Sequence, residues 1–113
     1  MLLAEARIDD GRFVRFFAPT DADAERLLAV IADAFGHRPP VEPPPPALSE
    51  TTESIAAALA KGFGVLAEVD GEAAGTLIVV QEAERAWVTR VSVRPAFQRL
   101  GIASAMVEVA LDL

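Results

Sequence analysis

The chain has no cysteine, no tyrosine and a single histidine among its 113 residues. Without cysteine there is no disulfide, no thiolate zinc site, no iron–sulfur cluster and no cysteine nucleophile. His37 alone is too little for a histidine-built metal site. Long hydrophobic runs are also missing, since none approaches the ~20 residues of a membrane-spanning helix. The N-terminus, MLLAEARIDD, carries charges where a signal peptide needs an apolar core. Basic residues are in the minority, 10 Lys and Arg against 17 Asp and Glu, for a net charge of −7 and a pI near 4.6. That balance opposes the phosphate backbone of nucleic acids and the surface of anionic membranes. The expectation is a soluble, cytoplasmic protein with neither nucleic acid nor membrane as partner.

What is present points to one folded domain over residues 1–113. Hydrophobic residues make up 52% of the chain and the mean hydropathy is +0.33, while charged residues stay at 24%. A chain of this length can build one core that buries roughly two-thirds of the unfolded surface.

Local patterns divide the chain into elements. Phe13 to Ala18 is aromatic and stops at Pro19, which predicts a first strand with Phe13, Phe16 and Phe17 in the core. The residues before it, including Glu5, Asp9 and Asp10, read as a solvated terminus. Thr20 stands where a helix cap belongs, and Ala24, Leu27, Leu28, Ile31 and Phe35 follow at helical spacing up to Gly36. Residues 38–47 carry six prolines and predict a stiff connector. A PxxP ligand is the functional reading of that stretch and a spacer the plain one. Ser49 and the threonines after it cap a second, alanine-rich helix that ends near Lys61.

Phe63–Val69 and Ala73–Gln81 flank Asp70-Gly71, a hairpin signature. A further strand, Ala86–Val93, closes at Arg94-Pro95. From about Phe97 the chain turns helical, with Ile102, Met106, Val109 and Leu113 on one stripe. The expected order is β-α-α-β-β-β-α, a mixed, mainly antiparallel sheet flanked by helices.

The stretch that carries chemistry is the junction Val91-Ser92-Val93-Arg94-Pro95-Ala96-Phe97-Gln98-Arg99-Leu100-Gly101-Ile102-Ala103. A strand ends at a proline, and a helix opens on Gln98-x-x-Gly101-x-Ala103. Small residues there let a ligand approach unpaired backbone N–H groups, and the helix dipole favours an anion such as a pyrophosphate. Arg99 and Arg94 could add charge at the rim. Gly62-Phe63-Gly64 fits the start of a dinucleotide fingerprint but precedes a strand, the reverse of that motif's setting.

This junction resembles motif A of the GNAT superfamily of acyl-CoA N-acyltransferases, a strand, a proline and Gln/Arg-x-x-Gly-x-Gly/Ala. Gln98, Gly101 and Ala103 match its three defining positions. The resemblance implies an α/β (α+β) GNAT-like fold and acetyl-CoA as co-substrate. It implies that the backbone amides of Arg99, Leu100, Gly101, Ile102 and Ala103 hold the coenzyme pyrophosphate. Val93 would pair with the pantetheine arm, and the Val91 amide would stabilise the oxyanion while an amine attacks the thioester directly. No enzyme nucleophile is then needed.

Some family members carry a glutamate base on the strand before motif A. Trp87 and Thr89 are the inward-facing positions expected there, with Trp87 as core or pocket wall. Glu82 is the candidate base, with Glu84 and Glu68 behind it. His37 lies on the connector that borders the acceptor pocket in such proteins. A domain of this family also continues with a strand, a helix and two more strands, and often uses a tyrosine on the later helix as acid. The chain therefore reads as the first three-quarters of such a domain, truncated after its third helix. The alternatives to an N-acetyltransferase acting on a small-molecule or peptide amine are a non-catalytic binding module and an inactive fragment. Such a module would dimerise through its exposed sheet edge.

Overall fold

A computed structural model describes residues 2–36 and 51–112. His37 and the proline-rich connector lie outside the described residues, as does Leu113. Five strands form one sheet in the order β1-β2-β3-β4-β5, every neighbouring pair antiparallel. They are β1 (Leu2–Arg7), β2 (Phe13–Phe17), β3 (Gly62–Val69), β4 (Glu72–Glu82) and β5 (Arg85–Val93). The helices are α1 (Ala24–Gly36), α2 (Thr52–Ala60) and α3 (Ile102–Leu111). Among the described residues no helix is long and apolar enough to cross a membrane.

The α+β class stands, and one strand is added at the front. The segment read as a solvated terminus is β1, which pairs with β2 along its length and carries a Glu5–Arg15 ion pair at 3.4 Å. Its Ala4-Glu5-Ala6-Arg7 alternation has the period of a strand, but alanine and glutamate have low strand propensity. Pairing with β2 overrides that local preference.

The two helical layers bury opposite faces of the sheet. α3 covers the face carrying Val14, Phe16, Val65, Leu77 and Val79, to which it contributes Ile102 and Met106. α1 and α2 cover the other face, where Leu27, Ile31 and Ile55 pack on Leu66, Ile78 and Val80. Phe13 is a correction to the expected aromatic core. Residues 13 and 16 are an odd number apart and face opposite ways in a strand. Phe16 is 1% exposed whereas Phe13 is 52% exposed, with the Arg7 guanidinium 5.0 Å from its ring centre.

Capping follows the sequence closely. Thr20 accepts from Ala22 N–H at 3.3 Å, and Asp23 accepts from Thr20 N–H at 2.9 Å, in a 3-10 turn that leads into α1. The cap of α2 is Thr51, two residues later than Ser49, and it exchanges hydrogen bonds with Ser54.

Candidate functional site

The strand–proline–helix junction is more broken than its spacing predicts. Pro95–Phe97 form a single 3-10 turn, Gln98 returns to extended backbone, and α3 begins only at Ile102. Arg99 and Gly101 between them are left-handed, at φ 66° and 85°. Gly101 meets that demand without strain, but a side-chain-bearing residue such as Arg99 costs about 1–2 kcal/mol there. A left-handed residue followed by a helical one turns successive N–H groups to a common point, an anion-binding concavity.

A cavity of about 260 Å³ lies there, lined by Val93, Gln98, Arg99, Gly101, Ile102 and Ala103, with Phe97 and Ser104 completing it. Ala105 N–H closes the first helical bond, to Gly101 O at 3.1 Å, and no side chain caps the turn. The amides of Ile102, Ala103 and Ser104 are therefore the open donors of the helix start. The Gln98 side chain donates to Val93 O at 3.0 Å and ties the loop to the strand end. Arg94 does not line the cavity, and its Nε is buried without a hydrogen-bond partner.

β5 is the last strand of the sheet among the described residues. Arg94 N–H bonds Ala74 O at 2.8 Å, and Ser92 pairs with Thr76 two residues back. By strand alternation the N–H and C=O of Val93 and Val91 then point off the sheet. The register slips between Ile78–Thr89 and Thr76–Ser92, so Arg90 and Val91 both face the single Leu77. Arg90 absorbs this bulge with a left-handed φ of 55°. Gly75 sits under the strand end, where a Cβ would come within 3.0 Å of Ser92 O and 3.2 Å of Met106 Cε. Its missing side chain lets α3 approach the sheet at the loop.

The β1–β2 turn supports this loop, and nothing in the sequence reading foresaw it. Asp9 N–H bonds Leu100 O at 3.3 Å, and the Asp9 carboxylate lies 3.7 Å from where a Gly101 Cβ would stand. Arg12 stacks over the Phe97 ring at 5.5 Å while its Nε donates to Asp10 at 2.7 Å. That bond, with a second from Arg12 N–H, holds the Asp10 carboxyl below the usual carboxylate range. Ile8 joins Phe97 and Ile102 in one buried cluster.

A family model described as Acetyltransferase (GNAT) family matches residues 25–113. The chain belongs to the GNAT acetyltransferase family. Solved structures share the GNAT fold with it, three of them as follows. The GNAT domain of S. lividans PAT superposes with a TM-score of 0.72 at 20% identity, over 96% of this chain and 69% of that one. PaiA N-acetyltransferase from Thermoplasma acidophilum, solved with coenzyme A, gives 0.72 at 14% identity over 88% and 70%. A Pyrococcus horikoshii protein gives 0.66 at 21% identity, and there the chain spans 34% of the longer molecule. A search of curated protein sequences gave no match.

The carboxylates named from sequence are not gathered at the bulge of this GNAT domain. Glu82 ends β4 opposite Arg85, is exposed, and lies 3.6 Å from Lys61 Nζ. Arg85 to Val91 is six residues of β5, which places Glu82 about 20 Å from the Val91 amide at the usual strand rise. Glu84 sits in the same distant hairpin turn. Glu68 on β3 is two strands, about 10 Å, to the side of β5 and accepts from Arg26 at 2.7 Å. Trp87, 43% exposed, stands as a cavity wall.

Proposed function

We propose that residues 1–113 form the coenzyme-binding part of an N-acetyltransferase that passes an acetyl group from acetyl-CoA to a primary amine by direct attack. The observation that carries this reading is the continuity of two features. Open helix-start amides line a cavity at Gly101–Ala103, and beside them the backbone of Val93 and Val91 points off the sheet edge. The first suits a pyrophosphate and the second an extended pantetheine arm, whose thioester carbonyl would accept from the Val91 amide at the bulge. The amine nitrogen bonds to the carbonyl carbon, the carbon–sulfur bond breaks, and its electron pair leaves on sulfur as the thiolate. The amine proton passes to solvent or to a water chain, because Glu82, Glu84 and Glu68 stand too far away to take it directly. The rate then rises with pH as the acceptor amine loses its proton.

Calorimetric titration with acetyl-CoA, followed by thiol release in the presence of an amine, tests the reading. Saturable binding is expected, and no heat at millimolar ligand would overturn it.

The carboxylate beside the loop gives a second expected result. Asp9 favours the free α3 dipole and opposes an incoming pyrophosphate. Asp9→Asn should tighten coenzyme A binding by about three- to tenfold and lower the melting temperature slightly. Weaker binding in this variant would show that the carboxylate orders the loop instead.

One observation favours a second reading as a dimerisation module. Trp87, Val88 and Val91 are exposed apolar residues along the open β5 strand. Sedimentation equilibrium separates the two, since a monomer that acetylates amines excludes the module.

A further inference from the structure

A second cavity adjoins the bulge on the opposite face of the sheet from α3. It measures about 370 Å³, within the range of small-ligand sites, and lies between α2 and β5. Its apolar wall is Ala57, Ala58, Val80 and the indole of Trp87. The polar groups are Ser54 and Thr89 and two cations, Lys61 and Arg90.

The charge of this lining runs against the rest of the molecule. The chain as a whole carries −7, yet the described lining holds two cations and no carboxylate. Lys61 reaches Glu82 at 3.6 Å, but that pair is more than half exposed on both sides and is easily exchanged for another anion. Arg90 is placed by the backbone itself. It occupies the bulge immediately before Val91, and its guanidinium donates to Thr89 Oγ1 at 3.1 Å along the cavity wall. Arg90 thus brings a cation to the wall of a cavity that adjoins the bulge.

We propose that this cavity receives the acceptor and selects amines that also carry a carboxylate, with Arg90 and Lys61 on the carboxylate and Trp87 against the hydrocarbon frame. The proposal rests on the acetyl-transfer reading for its placement at the thioester. The charge at the cavity, and not the acidic surface around it, then sets acceptor class, and simple cationic amines are disfavoured by the two cations.

The only tryptophan of the chain is Trp87, which also borders a smaller cavity beside Phe63 and Ala110, so a fluorescence change is assigned to the α2–β5 cavity by its loss in the Lys61 and Arg90 variants. The full chain is titrated with L-leucine and 4-aminobutyrate as carboxylate probes, and with L-leucinamide and 4-aminobutanamide as matched amines lacking the carboxylate. Saturable changes are expected for at least one carboxylate probe, about tenfold tighter than for its matched amine. Lys61→Gln combined with Arg90→Asn, asparagine being tolerant of left-handed backbone, should bring the pair within about twofold. Circular dichroism checks that the variant is folded, and Lys61→Gln alone, at an exposed site, should lose part of the preference. Equal or tighter binding of leucinamide or 4-aminobutanamide than of its carboxylate partner, or silence of both carboxylate probes, overturns the proposal. Coenzyme A binding is measured on the same sample by calorimetry. If coenzyme A binds and the carboxylates do not, the acceptor proposal alone falls. If the carboxylates bind and coenzyme A does not, the acetyl-transfer reading falls.

Discussion

Ala103→Glu should abolish coenzyme A binding while leaving the fold intact or slightly firmer. Ala103 is the second residue of α3, exposed, and lines the loop cavity. A carboxylate in the first turn of a helix favours the helix dipole by about 0.3–1 kcal/mol. The same carboxylate stands where the pyrophosphate is expected, and like charges about 4 Å apart repel by about 4 kcal/mol at an effective dielectric of 20. At 1.4 kcal/mol per decade this is a loss of about a thousandfold in affinity. Ala103→Gln fills the same space without the charge and should lose about tenfold. Calorimetric titration and thermal melts on the three proteins give the two opposite signs directly. Wild-type affinity in Ala103→Glu would remove the loop from the coenzyme site.

Phe16→Ala should cost about 3–5 kcal/mol of folding free energy, a large share of the ~5–15 kcal/mol of an ordinary domain. The Phe16 ring is 1% exposed in the cluster that also holds Phe97, Ile102 and Met106, so its loss opens a cavity under α3 and the loop before it. Phe13→Ala on the same strand should change stability by no more than about 0.5 kcal/mol, because its ring is half exposed on the other face. Urea unfolding of both variants measures the contrast. Similar losses in the two would mean that β2 faces the sheet layers differently from the register described above.

The elements legible in the sequence are those fixed by near neighbours. The α1 stripe of Ala24, Leu27 and Ile31 is buried as its spacing predicts, and Thr20 caps the turn before it. Asp70-Gly71 makes the β3–β4 turn with both residues left-handed. The same dipeptide at Asp10-Gly11 closes the β1–β2 hairpin, with Gly11 at φ 91°. The strand before that turn contains alanine, glutamate and arginine and reads as solvated on propensity alone, which masks the hairpin signal. The start of α3 lies later than the helical spacing predicts. Helical spacing extends back to Phe97, whereas Gln98 is extended and Arg99 and Gly101 are left-handed, so the helix starts only at Ile102.

The sequence by itself determined the α+β layout of the chain, the strand–proline–helix junction, and the small residues Gly101 and Ala103 at the helix start. These follow from periodicity, turn chemistry and motif spacing, all of which act over a few residues. Tertiary structure alone decided that Arg90 and Val91 share one partner on β4, that Glu82 lies far from the Val91 amide, and that Lys61 and Arg90 meet across one cavity. It also decided that Asp9 and Arg12 of the N-terminal hairpin rest against Leu100 and Phe97 of the loop before α3. Strand register and helix docking are set by side chains far apart in the chain, and a one-residue slip reverses which face each of them occupies.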